Sequence, residues 1–329
     1  MLYPPNNTSL SASSLRRLPV TFASNDAGVL MLGIALYSLL SSAESGTHYV
    51  IYILDDEISP ANRAKLHALQ DTHDCEVHFL PVHERLRELG CKEHRDWPAT
   101  MYARLFLPSL LPSEQRVLYL DIDVLVMRDL GELLHARLGG ALLGAVYEGL
   151  HTKFSAHWRR IGVPEGYGYF NSGVLLMDLE AMRAEQTEAA LQSYLSTHAS
   201  LLMFPDQDVF NAVLYHRVLA LHPRWNWNAH QTRFLLRKRK LIWGNMGPLA
   251  AQEAAGRPAI IHFPGKNKPI FKRSYGYYDA LYCRIWQQSP WKDVPRSGKA
   301  GLGSAMKRCL YRVADALIRR KISRLVSEK

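Results

Sequence analysis

Apolar and polar positions follow two alternating spacings along the chain. LPVTFAS (18–24) is a short, nearly continuous apolar run suited to a buried strand, 29–43 carries apolar residues at helical spacing, and YVIYILDD (49–56) returns to a strand-like run. ISPANRAKLHALQDTH (58–73) predicts a helix capped by Ser59 with Pro60 at its first position, and CEVHFLPV (75–82) predicts another strand. The pattern continues with a helix over 100–111, a central strand at 117–120, a polar turn leading into a strand in YFNSGVLLMDLEAM (169–182) and a helix over 180–197. A helix over 205–216 has two acids in its first turn, and AIIHF (259–263) is a last strand that ends near His262. This alternation predicts an α/β fold with a largely parallel sheet, in which ligands gather at the carboxyl ends of strands. Asn25, Asp26, Asp55, Asp56, Asp121 and Asp123 all fall at such ends.

One segment departs from a plain strand. In RVLYLDIDVLVMRDLGELL (116–134), four apolar residues are followed by two carboxylates one residue apart and then by VLV. Most Asp-x-Asp triplets are solvated turns, but solvated turns are seldom enclosed by apolar runs on both sides. Two like charges held side by side in such a place are costly without a cation. Asp121 and Asp123 are therefore candidate ligands for a hard divalent ion, Mn²⁺ or Mg²⁺.

LYLDIDVLVMRDLGELL resembles the metal-binding region of the family 8 retaining glycosyltransferases, and other segments agree in order over roughly residues 19 to 290. The resemblance implies a GT-A fold: a Rossmann-like domain with a mixed, mostly parallel sheet flanked by helices. It implies transfer of a hexose, galactose or glucose, from a UDP-sugar to a saccharide, with the lipopolysaccharide core as the acceptor in bacterial members. TMYARLFLPSLLP resembles the helix whose arginine, here Arg104, reaches the donor, and YFNSGVLLMDL the segment whose asparagine, here Asn171, contacts the donor sugar. FPDQDVFN matches a block in which Asp206 would meet sugar hydroxyls and Gln207 would lie beneath the anomeric carbon. HFPGKNKP resembles the late segment in which His262 would be the third metal ligand and Gly265 and Lys268 would meet the diphosphate. The end of the first strand, with Ala23, Asn25 and Asp26, would face the nucleotide, and Gly28 lies where many bacterial relatives have an aromatic.

These roles agree with elementary chemistry. A cation on the diphosphate, helped by Lys268 and Arg104, would neutralise the leaving group. A glutamine is a poor nucleophile, so the carbonyl dipole of Gln207 is better suited to steadying an oxocarbenium-like centre during same-face attack. The rival enzyme class is a haloacid-dehalogenase-like phosphohydrolase, whose nucleophile also lies in Asp-x-Asp after an apolar strand. Its motif normally sits in an early strand, whereas here about a hundred residues of α/β pattern come first. The WNWN run (225–228) could supply a sugar-stacking ring or core.

Composition adds a partner. The chain of 329 residues has a formal charge of +10, but residues 296–329 hold 10 Lys/Arg against two acids, leaving 30 basic and 28 acidic residues in 1–295. From Met306 to Leu325 the apolar positions share one side of a helix crowded with arginine, a pattern suited to an anionic membrane surface or to packing on the body. A nearly neutral body without a basic stripe argues against nucleic acid. Four widely spaced cysteines without a CxxC pair predict reduced thiols, and no apolar stretch approaches the ~20 residues of a transmembrane helix. The organisation expected is a disordered lead (1–17), a nucleotide-sugar transferase domain (18–295) and a membrane-associating tail (296–329). The protein would lie in the cytoplasm, peripheral on the inner face of the plasma membrane.

Overall fold

The computed structural model describes residues 16–90, 97–148, 154–230, 248–272, 274, 276 and 278–298. The predicted tail helix, most of the lead, Cys91 and Cys309 lie outside the described residues. The strands are β1 (Arg16–Asn25), β2 (Thr47–Asp56), β3 (Cys75–Pro81), β4 (Arg116–Leu120), β5 (Val124–Val126), β6 (Leu143–Tyr147), β7 (Phe170–Asp178), β8 (Val218–Ala220), β9 (Trp227–Asn228) and β10 (Ile260–His262). They form a seven-stranded sheet in the order β3-β2-β1-β4-β7-β6-β8 and a three-stranded sheet in the order β5-β10-β9.

β3, β2, β1 and β4 are mutually parallel, β7 runs antiparallel to both β4 and β6, and β8 is parallel to β6. The carboxyl ends of β1, β2, β4 and β6 therefore share one edge with the amino end of β7. The register pairs Leu120 with Val174 and Tyr147 with Phe170 at that edge.

Side chains alternate across each strand, and the two faces feed two cores. Leu118, Leu120, Val174 and Leu176 join a cluster with the Val29–Leu40 helix and the small sheet. Val117, Tyr119, Leu175 and Met177 join a second cluster with residues of the Leu179–Ala184, Thr187–His198 and Pro205–Leu214 helices. The small sheet is tied to the first core by Ser38, whose Oγ accepts from Val126 N at 2.9 Å, and by Ser42, whose Oγ donates to Val126 O at 3.0 Å.

Several elements differ from the sequence reading. β1 starts at Arg16, where Arg17 reaches Glu114 at 2.6 Å, so two residues of the expected lead belong to the sheet. The segment read as one helix over 100–111 is a 3₁₀ helix (Ala99–Phe106) and one α turn (Leu107–Leu110). Pro108 has no N–H to give to Arg104 O, which accepts instead from Leu107, and Arg104 Nε takes Met101 O at 3.0 Å. The helix expected over 180–197 breaks at Gln186, which adopts a left-handed conformation with φ 54°. The expected cap is present: Ser59 caps the Pro60–His67 helix by accepting from Asn62 N, and a 3₁₀ helix (Ala68–Asp71) continues it. Among the described residues, no helix is long and apolar enough to cross a membrane.

Candidate active site at the carboxyl edge of the large sheet

The acidic pair sits where the chain leaves one sheet for the other. Asp121 N donates to Gly173 O at 2.9 Å as the last bond of the β4–β7 ladder, and β5 begins three residues later. β10 runs antiparallel to β5 with His262 opposite Val124, and Phe263 N donates to Asp123 O at 2.9 Å. This register brings His262 Nε2 to 3.3 Å from Asp123 Oδ1 and 4.0 Å from Asp121 Oδ2. One donor atom from each of the three residues lies within 4.8 Å of the others.

Asp123 Oδ1 is buried without a hydrogen-bond partner. Facing an imidazole nitrogen and a second carboxylate, it forms an O, O, N set that a divalent cation would satisfy. Burial acts to raise the Asp123 pKa, but the Lys268 ammonium and His262 outweigh it and hold the carboxyl far below the usual range. Lys268 Nζ bonds directly to Asp123 Oδ2.

Gly173 makes the approach of His262 possible. A Cβ at that position would lie 2.6 Å from His262 Cε1 and 2.9 Å from Asn171 Oδ1, too close for either to stay. Gly173→Ala is expected to displace the imidazole and weaken Mn²⁺ binding by about tenfold, read by calorimetric titration. Unchanged affinity would remove His262 from the ligand set.

Arg104 binds the acidic pair to the rest of the pocket. It is 3% exposed, donates to Asp121 Oδ1 at 2.7 Å and Ser172 O at 2.8 Å, and lies 3.2 Å from Asp206 Oδ2. Its guanidinium sits 4.2 Å from the centre of the Tyr119 ring, and the Tyr119 hydroxyl donates to Asp121 Oδ1 at 3.1 Å. Burial pushes the Asp206 pKa up against the opposing pull of Arg104.

Next to these groups, Asn171 Nδ2 donates to Gln207 Oε1 at 3.0 Å and to Glu148 Oε1 at 2.6 Å, while Ser172 Oγ donates to Asp206 Oδ2 at 2.8 Å. Ser172 N also donates to Gln207 Oε1 at 3.2 Å, so the glutamine carbonyl is held by two donors. Glu148, whose pKa burial raises against Asn171 and His262, was not singled out from sequence. Its signal was a carboxylate directly after the apolar run LLGAVY, the same strand-end logic that found Asp121. Asp208, two residues after Asp206, is taken up by structural contacts. It is fully buried and accepts from Tyr169 Oη, Met203 N, Phe204 N and His157 Nε2, which anchors the turn before Asp206.

The structure thus brings together Asp121, Asp123, His262, Lys268, Arg104, Asn171, Asp206 and Gln207. Ala23, Asn25 and Asp26 lie at the same sheet edge, where Ala23 is buried and the two polar side chains are engaged locally. Asn25 Oδ1 accepts from Gly28 N at 3.1 Å, and Asp26 Oδ1 accepts from Ser59 N and Asn62 Nδ2. Gly28 lies close against its neighbours: a Cβ there would stand 2.6 Å from Ser24 Oγ and 2.8 Å from Ile122 Cδ1, so a larger residue requires those side chains to turn aside. Gly265 has φ 78° and open space around its Cα, consistent with close approach of a ligand to its backbone. The WNWN run divides by partner: Trp225 and Trp227 are buried in the core, while Asn226 bonds to His262 and Asn171.

A mostly parallel sheet with an Asp-x-Asp pair at its carboxyl edge, completed by a histidine from a second sheet, defines a GT-A glycosyltransferase. The profile of glycosyl transferase family 8 matches residues 19–270, and the chain belongs to that family. It is 32% identical over 255 residues to the lipopolysaccharide 1,2-glucosyltransferase of Escherichia coli, covering 76% of this chain and 72% of that protein. It is 28% identical over 268 residues to general stress protein A of Bacillus subtilis, covering 80% and 91% of the two chains. In three dimensions it superposes on the galactosyltransferase LgtC, solved with donor and acceptor sugar analogues. The TM-score is 0.73 at 24% identity, over 88% of this chain and all of LgtC. These matches do not favour the phosphohydrolase.

Proposed function

We propose that this enzyme transfers glucose or galactose from a UDP-sugar to a saccharide with retention of anomeric configuration, the acceptor being the growing lipopolysaccharide core. The observation that carries the reading is the buried, unpartnered Asp123 Oδ1 facing Asp121 and His262, with Arg104 tying this cluster to Asp206 beside Gln207. The name of the 32%-identical relative supports glucose and lipopolysaccharide.

Asp121, Asp123 and His262 would hold Mn²⁺ or Mg²⁺, which when bound supplies Lewis-acid neutralisation of the departing diphosphate. Lys268 and Arg104 add positive charge at that group, and the left-handed turn at Gly265 lets backbone meet a phosphate. Ala23, Asn25 and Asp26 line the nucleotide end. Asp206, Asn171 and Glu148 orient the sugar hydroxyls, and Gln207 presents its amide dipole beneath the anomeric carbon. The acceptor hydroxyl attacks from the face the diphosphate leaves, and a diphosphate oxygen takes its proton. The basic, amphipathic 306–325 segment supports residence on the inner leaflet, where such an acceptor is built.

Hydrolysis of a panel of UDP- and ADP-sugars with and without Mn²⁺ tests this reading. Metal-dependent turnover of UDP-glucose or UDP-galactose is expected, with ADP-sugars inert. If no nucleotide-sugar is bound or turned over under any metal, the reading fails.

A further inference from the structure

We infer that Asn226 is a positioning residue that fixes the tautomer of His262 and links it to the Gln207 side of the pocket. The inference rests on the reading of His262 as a metal ligand. Asn226 is 5% exposed and lies between two indoles that belong to the core. Its side chain spans the gap between the small sheet and the large one: Oδ1 is 3.0 Å from His262 Nδ1, and Nδ2 is 2.6 Å from Asn171 Oδ1.

Two backbone amides settle which atom donates at every link. Gly173 N is a fixed donor and points at one atom of the Asn171 amide at 2.9 Å, so that atom is the oxygen. Asn226 must then turn its NH₂ toward Asn171, which leaves its oxygen facing His262. Nδ1 of the imidazole therefore carries the proton and donates it to Asn226. In the neutral ring Nε2 is then left with a bare lone pair aimed at the two carboxylates, the form a metal requires. The other end is fixed in the same way. Ser172 N donates to Gln207 Oε1 at 3.2 Å, so Asn171 donates its own NH₂ to that oxygen. The order of donation runs from His262 to Asn226, from Asn226 to Asn171 and from Asn171 to Gln207, between two successive backbone N–H groups.

The direction matters because the surroundings of Nε2 favour the wrong form. A neutral imidazole 3.3 Å from Asp123 Oδ1 gains by placing its proton on Nε2 and donating it to the carboxylate. That proton would occupy the lone pair the metal needs. Asn226 opposes this by accepting at Nδ1, and its amide passes the constraint to the residue that holds Gln207.

Two substitutions separate the two links. Asn226→Leu removes both, whereas Asn226→Asp keeps an acceptor for His262 Nδ1 and loses the donor to Asn171. The readout is the ¹⁵N signature of the His262 ring in the metal-free protein at mildly alkaline pH, assigned by its loss in His262→Gln. Calorimetric Mn²⁺ titration of the same samples accompanies it. The wild-type ring is expected in the Nδ1–H form. Asn226→Leu is expected to move it toward Nε2–H and to weaken Mn²⁺ binding by about 10- to 100-fold. Asn226→Asp is expected to keep the Nδ1–H form and to change metal affinity by no more than about threefold, well short of the loss in Asn226→Leu. An Nδ1–H ring or wild-type Mn²⁺ affinity in Asn226→Leu overturns the inference. If that variant does not fold, an Nε2–H ring in Asn226→Asp does the same. Neither measurement uses a nucleotide-sugar, so a failure of the proposed reaction would leave a different trace.

Discussion

Asp123→Asn is expected to lower kcat/KM for transfer by about 1,000-fold, or roughly 4 kcal/mol of transition-state stabilisation, while leaving the protein folded. The carboxylate is the group that His262 and Lys268 both approach, and its Oδ1 has no other partner. An amide of the same shape keeps the packing and one carbonyl, but it cannot supply the negative charge that holds a cation. Mn²⁺ affinity should fall in parallel. Thermal unfolding should also move down at neutral pH, because a carboxyl held far below its usual range by Lys268 and His262 stabilises the fold when ionised and the amide does not. Wild-type turnover with Mn²⁺ still bound would show that the acidic pair is not the metal site. Phosphate release from an aryl phosphate, retained in this variant, would restore the phosphohydrolase.

Arg104→Leu should be the most destabilising single change in the pocket. The guanidinium compensates Asp121 and Asp206 together and satisfies two backbone carbonyls. Removing one partner of a buried ionic set leaves uncompensated charge, at a cost of about 3–5 kcal/mol. In a domain of this size the loss lowers Tm by about 10 °C. The pH dependence has a definite sign. Asp206 already has a raised pKa from burial, and losing Arg104 raises it further. A carboxyl whose folded pKa exceeds its unfolded value weakens the fold at neutral pH and regains that stability as pH falls through the folded pKa. The deficit of Arg104→Leu relative to wild type should therefore narrow toward acid in pH-dependent thermal melts. A deficit that is flat with pH would mean the loss comes from packing on Tyr119.

The strands with long apolar runs were legible because burial on both faces of a parallel sheet demands such runs, as in β1, β2 and β7. β8 and β9 were not, since three half-buried residues and a Trp-Asn pair carry no periodicity. β6 was hidden by Gly144, which interrupts its apolar run; the strand pairs Gly144 with Leu176 and Leu219, and a Cβ there would press on Leu221 at 3.2 Å. The site was legible where charge stood against apolar sequence, at Asp121, Asp123 and His262. It was less so where function rests on hydrogen-bond direction. Nothing in the letters of WNWN says that the indoles pack inward and that one amide bonds to a histidine 36 residues away. The single-helix reading of 100–111 failed because it ignored what Pro108 withholds from Arg104.

His262 reaches Asp123 only through the pairing of β10 with β5, which joins segments far apart in the chain. All seven strands of the large sheet are complete by Ala220, before the last ligand has been made. During synthesis at about 5–20 residues per second, Asp121 and Asp123 therefore wait on the order of ten seconds for His262 and Lys268. A nascent chain of that intermediate length is predicted to hold a sheet, an arginine and two acids but no competent cation site. Mn²⁺ binding by ribosome-stalled chains should appear abruptly once β10 has emerged, and gradual gain from shorter lengths would contradict this order.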